Sequence, residues 1–216
     1  MHYLDIETWD RKEHFIYFKD LDLPYFCITA DIEMTDFHRI IKNNNFPFFL
    51  SFLFIVTSVA NNIKELRYRI HGEKVCVHDA VHPSFTVLGR NNIFSYCPGI
   101  FREGFTDFLK ENSELLENVK KNPSLKEDKK RDDVLYITSL PWVKFSSVSH
   151  PMRLDPCDSI PRIAWGKFFT ENGKMKIPFS LQVHHALLDG FHAGQFFLNL
   201  EKLLNSPDDL ENLFSK

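Results

Sequence analysis

Hydrophobic side chains recur at helical spacing in several stretches of the chain. The clearest stretch spans residues 101–121, where six apolar residues share one face: Phe105, Phe108, Leu109, Leu115, Leu116 and Val119. A second amphipathic helix is predicted over 191–205, and shorter ones over 10–19 and 35–43. Residues 46–60 are apolar almost throughout. At about 15 residues this run is shorter than the ~20 that cross a bilayer, so it is predicted to be a buried core helix.

Runs of alternating and β-branched residues predict strands between these helices, at 25–33, 84–88, 93–96 and 134–138. Two hairpins are also predicted. One turns at His71-Gly72-Glu73, and the other turns at Glu171-Asn172-Gly173. Strands and helices that mix without strict alternation favour an α/β or α+β fold with a mixed sheet. No repeat or linker interrupts the pattern, so we expect a single domain over residues 1–216.

The composition allows a large core, since 44% of the residues are hydrophobic and 22 are phenylalanine. Some of these rings are expected to line a pocket or a subunit interface. The net charge of -3, without a basic block, argues against a nucleic acid partner, because phosphate binding needs clustered Lys and Arg. The four cysteines (Cys27, Cys76, Cys97 and Cys157) have neither a metal-binding nor a disulfide spacing. With no signal peptide pattern at the N-terminus, we expect a cytoplasmic protein without a membrane partner.

Candidate chemistry concentrates at His184-His185-Ala186-Leu187-Leu188-Asp189-Gly190-Phe191-His192. A histidine at the end of a buried strand is well placed to act as a base, because the strand fixes its backbone while the following turn opens to solvent. A purely structural histidine pair is the plainer alternative, with Asp189 capping the next helix. A metal site made by His185, Asp189 and His192 on one helical face is a rival, but Gly190 interrupts that face, so no metal is predicted.

This run resembles the signature of the chloramphenicol acetyltransferases, a family within the CoA-dependent acyltransferases. Three further segments resemble the family in the same order along the chain: residues 9–15 (Trp-Asp-Arg-Lys-Glu-His-Phe), Phe85-Thr86-Val87, and residues 136–143 (Tyr-Ile-Thr-Ser-Leu-Pro-Trp-Val). The resemblance implies a two-layer α/β sandwich with a mixed sheet. It also implies an acetyl-CoA-dependent O-acetyltransferase that acts on a hydroxyl of a small molecule such as chloramphenicol, with direct acetyl transfer and no acyl-enzyme.

The resemblance assigns roles residue by residue. His185 matches the general base, and Asp189 and Arg11 match an ion pair that holds the catalytic loop. Thr138 stands where the family has a serine whose hydroxyl stabilises the oxyanion. The aromatic candidates for CoA contact are Trp142 and Phe168. The acceptor pocket is assigned to Tyr17, Phe18, Phe94 and Tyr96, and His184 is expected to pack structurally.

The family assembles as a homotrimer with active sites between subunits, so the same assembly is expected here. Some positions depart from the family pattern: Ala164 replaces a threonine, and Tyr96 stands where a small residue is common. Two alternatives therefore stay open, an acyltransferase with a different acceptor and a binding protein that has lost activity. The acyltransferase core of a 2-oxo acid dehydrogenase is a rival, but the Asp-His-Arg typical of those cores and a lipoyl domain are both missing from the sequence.

Overall fold

The computed structural model describes residues 1–126, 131–153 and 158–216, so Cys157 lies outside the described residues. The described helices are α1 (Lys12–Lys19), α2 (Thr35–Asn43), α3 (Phe48–Asn61), α4 (Phe105–Lys121), α5 (Gly190–Leu204) and α6 (Pro207–Phe214). The strands are β1 (His2–Tyr3), β2 (Tyr25–Glu33), β3 (Tyr68–His71), β4 (Lys74–Val77), β5 (His82–Leu88), β6 (Phe94–Pro98), β7 (Val134–Leu140), β8 (Arg162–Gly166), β9 (Phe169–Glu171) and β10 (Lys174–His184).

Most strands belong to one seven-stranded sheet in the order β2-β10-β8-β7-β5-β6, with β9 paired to β10. The β5–β7 and β7–β8 pairs are parallel, and the other pairs are antiparallel. The predicted mixed sheet is therefore confirmed. Both predicted hairpins form, although β3 and β4 join β1 in a separate three-stranded sheet.

The helices cover one face of the large sheet and form the core with it. Alternate strand residues point into this core, among them Ile163 and Trp165 of β8 and Phe179 and Leu181 of β10. Helix α3 is buried on nearly all sides, as its apolar sequence predicts, and the Phe52 ring packs edge-on against Trp165 with centroids 5.0 Å apart. Among the described residues no helix has both the length and the apolar character to cross a membrane.

None of the described helices covers the opposite face of the sheet, and three rows of side chains cross it. The first row contains Ser84, Tyr136, Arg162 and Gln182, which the pairing register places side by side. The second contains Tyr96, Thr86, Thr138, Ala164 and Ser180, and the third contains Phe94, Leu88, Leu140 and Gly166. An irregular segment lies over part of this face, where the backbone N–H of His150 donates to Gln182 Oε1 at 3.2 Å.

The small sheet is attached to the start of β7 by buried polar contacts. Arg69 is fully buried, and its guanidinium donates to the carbonyl oxygens of Asp132 (2.7 Å) and Val134 (2.6 Å). The Asp132 carboxylate contacts two imidazoles, His71 Nε2 at 2.5 Å and His78 Nε2 at 2.9 Å. These bonds satisfy polar groups that burial would otherwise leave without partners.

Candidate active site

The turn between β10 and α5 carries the candidate chemistry, and Asp189 fixes its second half. The Asp189 side chain caps α5 by accepting a hydrogen bond from the Phe191 backbone N–H at 3.0 Å. In return the Asp189 N–H donates to Nδ1 of His192 at 3.3 Å, which completes a capping box with histidine at the third helical position. The sequence from Asp189 to His192 thus defines where the helix begins.

The same carboxylate pairs with Arg11 at the start of α1. Arg11 Nη1 lies 2.5 Å from Asp189 Oδ2, and Nη2 lies 3.4 Å from the carbonyl oxygen of His185. Burial raises the pKa of the Asp189 carboxyl, but the hydrogen bond and charge of Arg11 outweigh it and lower the pKa to about 2. One arginine therefore holds both ends of the turn, and the aspartate stays charged at neutral pH.

The His185 ring is held between two phenylalanines. Its backbone N–H donates to the Pro24 carbonyl at 2.7 Å, which extends the β2–β10 pairing by one residue. The ring stacks on Phe18 with centroids 4.0 Å apart, and Phe26 lies at 4.9 Å. His185 Nδ1 is buried without a hydrogen-bond partner, whereas Nε2 is not among the buried atoms and has no partner among the described residues. The ring thus presents one open nitrogen from a fixed position.

His184 has the surroundings of a packing residue. It is 1% exposed, its ring lies edge-on to Tyr25 at 5.1 Å, and Nδ1 accepts from the Ala186 N–H at 3.2 Å. Burial lowers the pKa of His184 to about 4, so this imidazole is neutral at physiological pH. The two adjacent histidines therefore have different environments, and only His185 reaches open space.

A cleft of about 620 Å³ lies on the helix-free face of the sheet, and we call it the Thr138 cleft. Thr138 lies in the middle row of its floor, next to Thr86. Phe94 and Tyr96 contribute an aromatic wall, with their rings edge-on at 5.6 Å. Its remaining lining residues are Ser84, Leu88, Tyr136, Ile137, Ser139, Leu140, Trp142, His150, Pro151, Asp158 and Arg162.

The structure separates the sequence-predicted site residues into two groups. Thr138 is in register with Ala164 and, through it, with Ser180. His185 lies five residues beyond Ser180 along the extended chain and two strands from β7. At about 3.3 Å per residue and about 4.8 Å per strand, the Cα atoms of Thr138 and His185 are about 19 Å apart. One chain therefore places Phe94, Tyr96 and Thr138 at one location, and Arg11, Phe18, His185 and Asp189 at another.

Tyr17 lies in the second group, next to the ring that stacks on His185. Its ring packs edge-on against Phe18 at 4.9 Å and is 69% exposed. Leu23 and Phe191, which flank this region in the sequence, are exposed to a similar extent. We call the group formed by Arg11, Tyr17, Phe18, His185 and Asp189 the His185 corner.

Trp142 and Phe168 follow the carboxyl ends of the parallel strands β7 and β8. A hydrogen bond from the Lys167 N–H to the Val143 carbonyl, at 2.8 Å, joins the two loops. Trp142 is 63% exposed and lines the Thr138 cleft. The Phe168 ring packs instead against the rings of His38 and Phe48, with centroids 5.6 and 5.4 Å apart. The two rings share one edge of the sheet but have different neighbours.

The helical face needed for a metal site at His185, Asp189 and His192 does not form. Helix α5 begins at Gly190, after His185, and the Asp189 carboxylate is engaged by Arg11. Within residues 1–126, 131–153 and 158–216, no group of three or more His, Cys, Asp or Glu side chains is arranged to hold a metal ion.

Sequence reasoning missed the charged end of the Thr138 cleft. Arg162, Asp158 and His150 line it, yet residues 146–158 have no periodicity and only mark an irregular segment. Arg162 is the one member with a local signal, because it stands in a strand at a position where the alternation places it away from the core.

Comparison with solved structures identifies the fold. A chloramphenicol acetyltransferase superposes with a TM-score of 0.88 at 24% identity, covering 94% of this chain and 99% of that chain. A dihydrolipoamide acetyltransferase from Azotobacter vinelandii gives a TM-score of 0.65 at 15% identity, covering 92% and 88%. The fold is that of the CoA-dependent acyltransferases, as the sequence motifs implied.

Comparison with sequences then identifies the family. A family model described as chloramphenicol acetyltransferase matches residues 1–201. A chloramphenicol acetyltransferase from Clostridium butyricum is 31% identical over 216 residues, which cover 97% of both chains. The chain belongs to the chloramphenicol acetyltransferase family, and the resemblance inferred from its motifs is confirmed.

Proposed function

We propose that the protein transfers the acetyl group of acetyl-CoA to a hydroxyl of a small alcohol, with His185 as general base. Membership of an acyltransferase family supports this reaction, and the relatives' name makes chloramphenicol the first acceptor to test. The observation that carries the proposal is the double contact of Arg11 with Asp189 and with the His185 carbonyl. It fixes the backbone of a histidine whose Nε2 is open.

In the proposed reaction, His185 Nε2 accepts the proton of the acceptor hydroxyl as that oxygen attacks the thioester carbonyl carbon. The C–O bond forms and leaves a tetrahedral oxyanion. When this intermediate collapses, the C–S bond breaks, and the departing thiolate takes the proton back from the imidazolium. The products are the acetyl ester and CoA, and no acyl-enzyme is formed. Phe18 supports the step by holding the ring in one plane.

Thr138 is the proposed donor to the oxyanion. Thr138 lies in the second row of the cleft floor. The first row, which contains Arg162, is on one side of it, and the third row, which contains Leu140, is on the other. A preorganised donor at a developing oxyanion is worth about 10²- to 10³-fold in rate. Tyr96 and Phe94 form the acceptor wall beside it, and Trp142 and Phe168 are the proposed CoA contacts at the edge where β7 and β8 end.

Because about 19 Å separates Thr138 from His185 within one chain, a site that uses both residues would take them from different chains. We therefore propose a homotrimer in which the His185 corner of one protomer closes the Thr138 cleft of its neighbour. Apolar surface for the contact is supplied by the exposed ring of Tyr17 in the His185 corner and by the exposed ring of Phe191, two residues after Asp189. A cyclic arrangement uses each corner and each cleft once.

The first experiment measures thiol release from acetyl-CoA with chloramphenicol and with a panel of small alcohols, using wild type and His185→Ala. Thiol release that depends on both acceptor and His185 supports the proposal. Release with other alcohols but not with chloramphenicol identifies an acetyltransferase with a different acceptor. Binding of alcohols without release in any combination identifies a binding protein and contradicts the proposal.

The second experiment tests the shared site. Three chains of 25.4 kDa give about 76 kDa by light scattering. Refolding equal amounts of His185→Ala and Thr138→Ala chains together restores about one quarter of the sites, since each site takes its histidine and its threonine from different chains. An equal mixture of His185→Ala and Arg11→Ala chains is the control. Both changes lie in the His185 corner, so this mixture regains no activity. A fully active monomer contradicts the shared site.

The proposed location is the cytoplasm. Cys27, Cys76 and Cys97 are free thiols, as expected in a reducing compartment.

A further inference from the structure

The Thr138 cleft becomes more polar from its third row to its first. The third row presents the apolar side chains of Leu88, Phe94 and Leu140, whereas the first presents Ser84, Tyr136 and Arg162. Successive rows are two residues apart on each strand, or about 7 Å. If the reacting hydroxyl of an acceptor lies near Thr138, a second group of that acceptor about 7 Å from the hydroxyl can therefore reach the first row.

Arg162 and Asp158 together form a neutral pair at this end. Arg162 Nη2 donates to Asp158 Oδ2 and Nη1 donates to the Ile160 carbonyl at 2.9 Å. The guanidinium also lies over the Tyr136 ring, 5.3 Å from its centroid. The side chains of Arg162 and Asp158 are only 8% and 20% exposed. Because each charge offsets the other, this end of the cleft favours a neutral polar ligand over an ion.

At this end of the cleft, the ring of His150 has no hydrogen-bond partner within residues 1–126, 131–153 and 158–216. Its backbone is fixed by the hydrogen bond to Gln182, which stands in the first row. Its Nε2 is buried without a hydrogen-bond partner, and no described residue bonds its other ring nitrogen. Burial, followed by the charge of Arg162, lowers the pKa of His150, so the ring is neutral and offers one donor and one acceptor. An imidazole in a ligand cleft with no hydrogen-bond partner among the described residues is a feature expected of a ligand contact.

We propose that the acceptor carries a second neutral hydrogen-bonding group, such as a hydroxyl, and that this group binds the His150 imidazole. The inference rests on the proposed acetyl transfer, in that the reacting hydroxyl is placed at Thr138. It makes His150 the residue that selects polar acceptors over apolar ones of the same shape. A site built to bond a hydroxyl discriminates against the analogue that lacks it, because its own polar group is then left unpaired.

Two alcohols that differ by one hydroxyl test this inference: 1-phenylbutane-1,4-diol and 4-phenylbutan-1-ol. Dissociation constants are measured by calorimetry on the protein as purified, and kcat/KM is measured by thiol release. We expect the wild type to bind the diol about 10-fold more tightly, as one net hydrogen bond allows. His150→Leu is expected to weaken diol binding and to strengthen binding of the mono-alcohol, which brings the ratio to about 1. His150→Gln, which still forms hydrogen bonds, keeps most of the preference.

The controls separate this inference from the proposed function. His2→Leu removes an exposed histidine of β1 and leaves the binding ratio at its wild-type value. A wild-type ratio near 1, no binding of the diol, or a ratio that persists in His150→Leu overturns the inference. A ratio that behaves as expected without any thiol release refutes the proposed acetyl transfer and leaves the role of His150 in binding standing. Tighter binding of the mono-alcohol by His150→Leu also shows that this variant is folded.

Discussion

The imidazole of His185 lies flat against the ring of Phe18, with centroids 4.0 Å apart and planes 10° from parallel. Stacking of this kind is worth about 0.5–1.5 kcal/mol. We expect Phe18→Ala to lower kcat by about 3- to 10-fold, because the ring of the base becomes free to rotate, with little change in KM for acetyl-CoA. Phe18→Tyr keeps the stacked ring and is expected to keep the rate. Equal kcat values for Phe18→Ala and wild type would show that Phe26 alone orients His185.

The two adjacent histidines are expected to respond differently to truncation. His185→Ala is predicted to lower kcat by about 10²- to 10⁴-fold, the range for a positioned general base. His184→Ala removes a buried ring and is predicted to act on the free energy of unfolding instead, by about 2 kcal/mol or more. Steady-state rates and urea unfolding of both variants check this. A larger loss of kcat in a fully folded His184→Ala variant would exchange the two roles.

The Arg11–Asp189 pair gives a pH-dependent prediction. The hydrogen bond and charge of Arg11 hold the pKa of Asp189 at about 2 in the folded protein, below its ordinary value of 3.8. A depressed folded pKa contributes stability that is present above the unfolded pKa and is lost as pH falls through the folded one. We therefore expect wild type to lose its advantage over Asp189→Asn as pH falls from about 4 to about 2. Urea unfolding of both proteins at several pH values measures the difference. A pH-independent difference would show that the pair contributes nothing through charge.

Thr138 is predicted to act through its hydroxyl. Thr138→Ala should lower kcat by roughly 10²-fold with little change in acetyl-CoA affinity, and Thr138→Ser should keep or raise the rate. Ser139→Ala is the matched control. Ser139 also borders the cleft, but it is in register with the buried Trp165, so the alternation along β7 directs its side chain to the opposite face from Thr138. Greater damage from Ser139→Ala would mean that the functional hydroxyl belongs to the core side of the strand.

Asp132 gives a test of stability that does not depend on the reaction. Asp132→Asn weakens the contacts to both His71 and His78, and we expect a loss of about 1–3 kcal/mol in the free energy of unfolding. Asp79→Asn is the control, since this exposed carboxylate pairs with the N-terminal ammonium at the surface and its loss should cost far less. Similar losses in both variants would mean that burial of the Asp132 cluster adds nothing.

Secondary structure with a strong local pattern could be predicted from the sequence. The predicted strand at 25–33 coincides with β2, and the helix at 191–205 is one residue from α5 at each end. Helix α4 begins at Phe105 rather than Phe101, because Gly104 takes the cap position. Helix α6 is not predicted from the sequence. It has only eight residues, and its two buried side chains, Leu210 and Phe214, are too few to establish a helical period.

The candidate site could be predicted only where a motif names its members. The resemblance paired Arg11 with Asp189, and the structure joins them across 178 positions of sequence. No local pattern connects His150 with Arg162, because they meet through strand pairing and a segment without periodicity. The separation of Thr138 from His185 was likewise invisible, since it depends on the order of β7, β8 and β10 in the sheet.

The Asp189 carboxylate both starts helix α5 and holds the turn that carries His185. Helix caps are common targets when a protein is engineered for heat resistance, because they can usually be changed without touching function. Here that separation does not exist. If His185 is the proposed base, we expect a substitution at this cap to change thermal tolerance and turnover together, so that selection for either property acts on the same residue. Directed evolution of this protein toward higher temperature should therefore leave Asp189 and Arg11 in place and find its gains in other helices.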